Sequence, residues 1–133
     1  MNVSTTIYKG LFVVAGLYDG LLGFAFLLFG PALFRFYEVT PPNHFGYIKF
    51  PALMLITFSA MFFQIASDPR RYRHMIPYGM ALKVAYAGSV FYYMVKGGVP
   101  EMWIPFAWAD SAFLVAFAVA WLGLRQSDLG QRA

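Results

Sequence analysis

Four runs of mostly apolar residues, each about 20 long, divide this 133-residue chain and leave it little choice of fold. They cover roughly residues 8–29, 46–66, 75–95 and 102–124. Each is the length of a bilayer-crossing helix, whereas a barrel strand would be near ten residues and would alternate apolar with polar positions. Charged residues make up only 12% of the sequence, against about 25% in an ordinary soluble domain. A soluble core of this size has no room for so many Phe, Leu and Val side chains. The sequence therefore predicts an all-α, integral membrane four-helix bundle forming a single domain over 1–133.

The connections carry strong breakers. Gly30-Pro31 predicts a stop after the first helix, and residues 32–39 (ALFRFYEV) read as a short helix lying at the interface. Thr40-Pro-Pro-Asn43 breaks the chain again before the second helix, and Gly97-Gly98-Val-Pro100 turns it between the third and fourth. Beyond Leu124 the sequence becomes a polar tail. The first block does not read as a cleaved leader: Asp19 interrupts it and no small-x-small cleavage pattern follows.

Lys and Arg counts outside the spans set the orientation. Lys9, Arg70, Arg71, Arg73, Arg125 and Arg132 share one side with both termini, and Arg35, Lys49 and Lys96 lie on the other. The positive-inside rule then places both termini in the cytoplasm. The net charge of +4 is concentrated in the loop Asp68-Pro-Arg-Arg-Tyr-Arg73. In a membrane protein this is a topology signal in contact with anionic headgroups or an acidic protein partner, not a nucleic-acid surface.

Three ionisable residues interrupt the apolar segments near their middles: Asp19, Lys83 and Asp110. Each charge at bilayer depth costs about 2.5–3.5 kcal/mol on insertion scales, so it needs partners or a purpose. The expected depths differ by about one helical turn, which a lysine side chain can bridge. Asp19 shares a face with Gly16, Gly20 and Gly23, a small-residue stripe that admits another helix closely. Lys83 shares a face with Gly79, Tyr86, Ala87 and Val90, while Asp110 stands between Ala107, Ser111 and Leu114. Tyr18 and Tyr86 are candidate hydroxyl partners for this cluster. Trp108 is the candidate cavity wall, with Trp103 and Trp121 as interfacial anchors. Two readings of the cluster stay open here: a structural lock fixing which helix faces meet, or the polar lining of a site for a ligand, a quinone headgroup or a proton.

The absence of cysteine from the sequence excludes disulfides, thiolate metal sites and cysteine nucleophiles. His44 and His74 fall in loops at opposite sides, so no paired-histidine metal or haem site is expected. No metalloprotease histidine pair, glycine-framed serine, phosphate loop or dinucleotide fingerprint occurs. The residues thus point away from an enzyme, although an integral-membrane enzyme using the acids on a lipid-like substrate remains a third class.

Four short helices, the breaker after the first, the turn Asp68-Pro-Arg-Arg-Tyr-Arg73 and Asp110 in the last together resemble the DoxX-like group of small four-helix bacterial membrane proteins. The resemblance covers about Tyr8 to Leu124. It implies a multi-pass protein of the bacterial inner membrane, associated with quinones or with a partner enzyme. The name-giving member is the small membrane subunit of a thiosulfate:quinone oxidoreductase. The resemblance brings no catalytic residue to this chain. The expected function is a non-catalytic subunit or quinone- or lipid-binding accessory of a membrane enzyme system. The alternative is a small proton-coupled transporter, which would need homo-oligomerisation to enclose a pathway.

Overall fold

The computed structural model describes residues 3–132, with side chains as far as Arg125. Four α-helices follow in order: α1 (Val3–Phe36), α2 (Gly46–Ser67), α3 (Ile76–Lys96) and α4 (Ile104–Arg132). Short 3-10 turns at Arg73–Met75 and Glu101–Trp103 lead into α3 and α4. The connections are too short for anything but antiparallel neighbours. Helix α1 packs most extensively on α2 and α3 on α4, α4 closes on α1, and α2 and α3 scarcely touch. The expected polar tail after Leu124 continues α4 as helix through Arg132. The side chain of Arg132 and the amino terminus, both used in the orientation argument, lie outside the described residues.

Gly30-Pro31 does not end α1. The helix is broken at Phe29 (φ −125°, ψ 22°) and then resumes through Pro31 to Phe36. Proline lacks an N–H and its ring clashes with the carbonyl four residues back, so it forces a kink; once Phe29 has turned aside, Pro31 sits comfortably at the start of the next turns. The separate interfacial helix expected at 32–39 is thus the continuation of α1. It ends in a Schellman motif: the Val39 N–H donates to the Phe34 carbonyl (2.9 Å) and the Glu38 N–H to that of Arg35 (3.1 Å). Glu38 takes the left-handed position at φ 57°, a conformation that glycine adopts at no steric cost. Glu38→Gly is expected to raise stability by about 0.5–1 kcal/mol, read as a higher midpoint in a denaturant titration. An unchanged or lower midpoint would mean that the glutamate side chain makes a compensating contact.

Three segments are long and apolar enough to cross a membrane: α1, α2 and Glu101–Arg125 of α4 with its leading turn. Helix α3 has 21 residues but falls short in hydropathy, where four spans were expected. Its polarity comes from Lys83 and from Tyr78, Tyr86, Tyr92 and Tyr93. A hydropathy average treats the lysine as though lipid met it, but Lys83 is fully buried between helices. The outward faces of all four helices carry large apolar side chains, among them Leu21, Phe24, Leu53, Val84, Val115 and Val119. The chain is an all-α helical membrane bundle.

The small-residue stripe of α1 receives α2. A Cβ on Gly16 would stand 2.9 Å from the Phe63 ring, on Gly20 2.7 Å from Ser59 Oγ, and on Gly23 2.7 Å from the Ala52 carbonyl oxygen. In a bilayer, lipid tails are as apolar as leucine, so this close van der Waals packing, not expulsion from water, holds the helices together. Ser59 adds an interhelical bond by donating to the Gly16 carbonyl at 2.5 Å. The half of the bundle towards the termini and the α2–α3 turn is solid. Phe12, Phe62 and Phe117 meet there with ring centroids 4.9–6.2 Å apart, surrounded by Ala15, Ile65, Ile76, Ala120 and Leu124.

Candidate functional site: a buried ion cluster at the floor of a cavity

Asp19, Lys83 and Asp110 meet at the boundary of that solid half. Each reaches the bundle interior because it lies on its helix's buried face: Asp19 with Gly16, Gly20 and Gly23 on α1, Lys83 with Gly79, Ala87 and Val90 on α3, and Asp110 with Ala107 on α4. Lys83 and Asp19 are 0% exposed and Asp110 6%. The ammonium of Lys83 donates to both oxygens of Asp19, at 2.9 and 3.1 Å, and to Oδ1 of Asp110 at 3.0 Å. The ammonium thus straddles the Asp19 carboxylate and bridges it to Asp110. The rings of Tyr18, Phe62 and Phe113 surround the ammonium with centroids 5.0–5.7 Å away, within cation–π range.

The two acids are not equivalent. Both oxygens of Asp19 are held by Lys83, and the carboxylate is sealed. Asp110 gives Lys83 only Oδ1, and no hydrogen-bond donor among the described residues reaches Oδ2. Asp110, with an edge of Asp19, forms the floor of a cavity of about 520 Å³ that occupies the other half of the bundle. Its walls are Leu22 and Phe26 of α1, Ile48, Phe50, Pro51, Ala52, Met54 and Leu55 of α2, Leu82 and Tyr86 of α3, and Trp103 and Phe106 before and on α4. Helices α2 and α3, which scarcely touch, both contribute to its wall. Phe50 and Met54 of α2 line it and are also exposed on the outer surface. The volume falls within the range of small-molecule sites, about 300–1,000 Å³.

The aromatic assignments change. Trp108 is 62% exposed on the outer face of α4, packed edge-on to Phe91, and walls nothing. Trp103 takes that part instead, stacking on Phe26 at 5.5 Å and lining the cavity. Helical spacing contains this signal: Trp103 precedes Asp110 by seven positions, two turns on the same face, whereas Trp108 precedes it by two, about 200° away. Neither tyrosine hydroxyl bonds to a carboxylate. Tyr86 donates to the Trp103 carbonyl at 2.9 Å, tying α3 to the start of α4. The Tyr18 hydroxyl is buried without a hydrogen-bond partner among the described residues, its ring packed on Phe113.

The basic loop lies at the opposite end from the cavity and divides in use. Arg73 folds inward: its Nε donates to the Trp121 carbonyl at 2.8 Å and its guanidinium lies 4.2 Å from that indole's centre. It clamps the α2–α3 turn to α4, so of the three arginines expected to meet headgroups or a partner it has a structural role. Arg71 is exposed and rests on Tyr72, and Arg70 borders a shallow cleft with Lys9, Thr5 and Asp68. His44 accepts the Gly46 N–H at the start of α2, at the cavity end, while His74 lies in the turn before α3.

Fold and site define a class: a helical membrane protein with a buried acid–base–acid cluster at the floor of an apolar cavity. Comparison with known proteins finds no matching family model, no matching curated protein and no matching solved structure.

Proposed function

We propose that the chain is a non-catalytic membrane subunit or accessory that takes up an amphiphilic molecule, a quinone or a lipid, from the bilayer into this cavity. One observation carries the reading: the cavity combines apolar, aromatic walls with a polar floor at Asp110, and its α2 lining residues Phe50 and Met54 are also exposed on the apolar outer surface. An apolar body enters from lipid there and its head reaches the carboxylate, the usual division of labour in a ligand site. The distribution of Lys and Arg supports an orientation with both termini inside, which puts the cavity in the outer leaflet half, and the DoxX-like resemblance implies a bacterial cytoplasmic membrane. The DoxX-like resemblance supports the same setting beside a respiratory or detoxifying enzyme.

Met54 lines the opening and is partly exposed, so a larger side chain there blocks entry without disturbing the core. Native mass spectrometry of protein extracted in mild detergent is expected to show one bound amphiphile per chain, with at least tenfold lower occupancy in Met54→Trp. A bare wild-type mass, or an adduct indifferent to Met54→Trp, would sink the proposal.

A further inference from the structure

Which head group fits is decided by what the floor of the cavity leaves unsatisfied. Lys83 bridges the two carboxylates and does not itself line the cavity, and the Tyr86 hydroxyl donates to the Trp103 carbonyl. Among the described residues the polar or ionisable side chains that line the cavity are Asp19, Tyr86 and Asp110, and of the carboxylate oxygens Oδ2 of Asp110 alone receives no hydrogen bond. In its ionised form the cluster sets two carboxylates against one ammonium, a net charge of −1 in surroundings that screen it poorly. From α1 the groups facing it are Tyr18 and Asp19, from α3 Lys83 and Tyr86, and from α4 Asp110; no Lys, Arg or His from α2 lines the cavity. The walls add Phe26, Tyr86, Trp103 and Phe106, whose ring faces attract cations.

Resting on the reading above, we propose that the cavity selects amphiphiles with a cationic ammonium head, which donates to Asp110 Oδ2 and completes a four-charge arrangement of Asp19, Lys83, Asp110 and ligand. An N–H-bearing cation meets every requirement of the floor at once: it supplies a donor, a positive charge and a partner for the aromatic walls. A head offering only carbonyl oxygens, such as an oxidised quinone, would point lone pairs at a carboxylate and leave Oδ2 unbonded. Asp110 is then the specificity-determining residue, whereas Asp19 holds Lys83 in place.

The test is photo-crosslinking in lipid nanodiscs with a long-chain primary alkylamine carrying a diazirine in its tail, with labelled residues mapped by mass spectrometry. Labelling is expected at cavity-lining positions, suppressed by excess oleylamine but not by oleyl alcohol or decylubiquinone, and reduced at least tenfold in both Asp110→Asn and Met54→Trp. If decylubiquinone or oleyl alcohol competes as well as oleylamine, the cavity still binds amphiphiles but the cationic preference is overturned. The same holds if Met54→Trp abolishes labelling while Asp110→Asn, folded by its helical circular dichroism, keeps it. If labelling is not confined to the cavity and Met54→Trp leaves it unchanged, both this inference and the proposed function fail.

Discussion

Lys83→Met is expected to lower the unfolding free energy by about 3–5 kcal/mol, the usual cost of removing one partner from a buried ion cluster. Methionine fills nearly the same volume, so the loss is electrostatic rather than a cavity. Asp19 would keep two buried oxygens with no donor, and Asp110 would lose its one bond. The measurement is a denaturant titration in mild detergent followed by tryptophan fluorescence. Removing all three charges together, as Asp19→Asn, Lys83→Met and Asp110→Asn, should recover much of the loss, because no uncompensated charge remains. A single mutant that unfolds with wild type would show that the cluster contributes no stability, and a triple mutant no better than the single would show that the loss does not come from uncompensated charge. The two acids should also separate: Asp19→Asn removes a doubly bonded, sealed carboxylate and costs more than Asp110→Asn, which removes a singly bonded one facing the cavity. On this division, Asp19 and Lys83 are the lock and Asp110 is the site.

The second large effect is expected from the helix seam. Gly23→Ala adds one methyl group, yet its Cβ would lie 2.7 Å from the Ala52 carbonyl oxygen, with Ile56 and Leu55 at 2.9 and 3.2 Å. A backbone oxygen cannot rotate away as a side chain can, so α2 must move off α1 bodily. Overpacking of this kind costs about 1–3 kcal/mol, and here it also disturbs the wall of the cavity at Ala52. Gly10→Ala is the control: it lies in the same helix, its Cβ would meet nothing within 4 Å, and alanine is the better helix former by about 1 kcal/mol. Opposite shifts of the two midpoints in the same titration are expected. A Gly23→Ala protein as stable as wild type would mean that α1 and α2 are not held at this separation.

Much of this was legible from residues alone, for a physical reason. A charge within an apolar segment has so few tolerable environments that Asp19, Lys83 and Asp110 nearly name one another, and the glycine stripe beside Asp19 says which face another helix meets. The cavity was not legible, because its wall draws on α2 and α3, which scarcely touch. Nothing in the α2 or α3 sequence states that Met54 and Leu82 stand apart, since that depends on where α1 and α4 hold the two helices. The continuation of α1 past Pro31 was misjudged because proline's missing N–H costs only one bond when the residue before Gly30, Phe29, absorbs the distortion. Depth along the helix points to Trp108, but facing decides, and the seven-residue spacing to Asp110 puts Trp103 on the cavity side.

The order of the cluster along the chain, acid then base then acid, bears on how such a protein is made. Helix α3 is the one of the four without a stretch apolar enough to cross a membrane unaided, and it carries the ammonium, so it is the one least able to enter lipid by itself. By the time it leaves the ribosome, α1 has already been synthesised and offers the two oxygens of Asp19. Asp110 emerges afterwards, to a lysine already in place. Each charge after the first therefore reaches the membrane with its opposite waiting, and the helix least suited to the bilayer is recruited by the first to arrive.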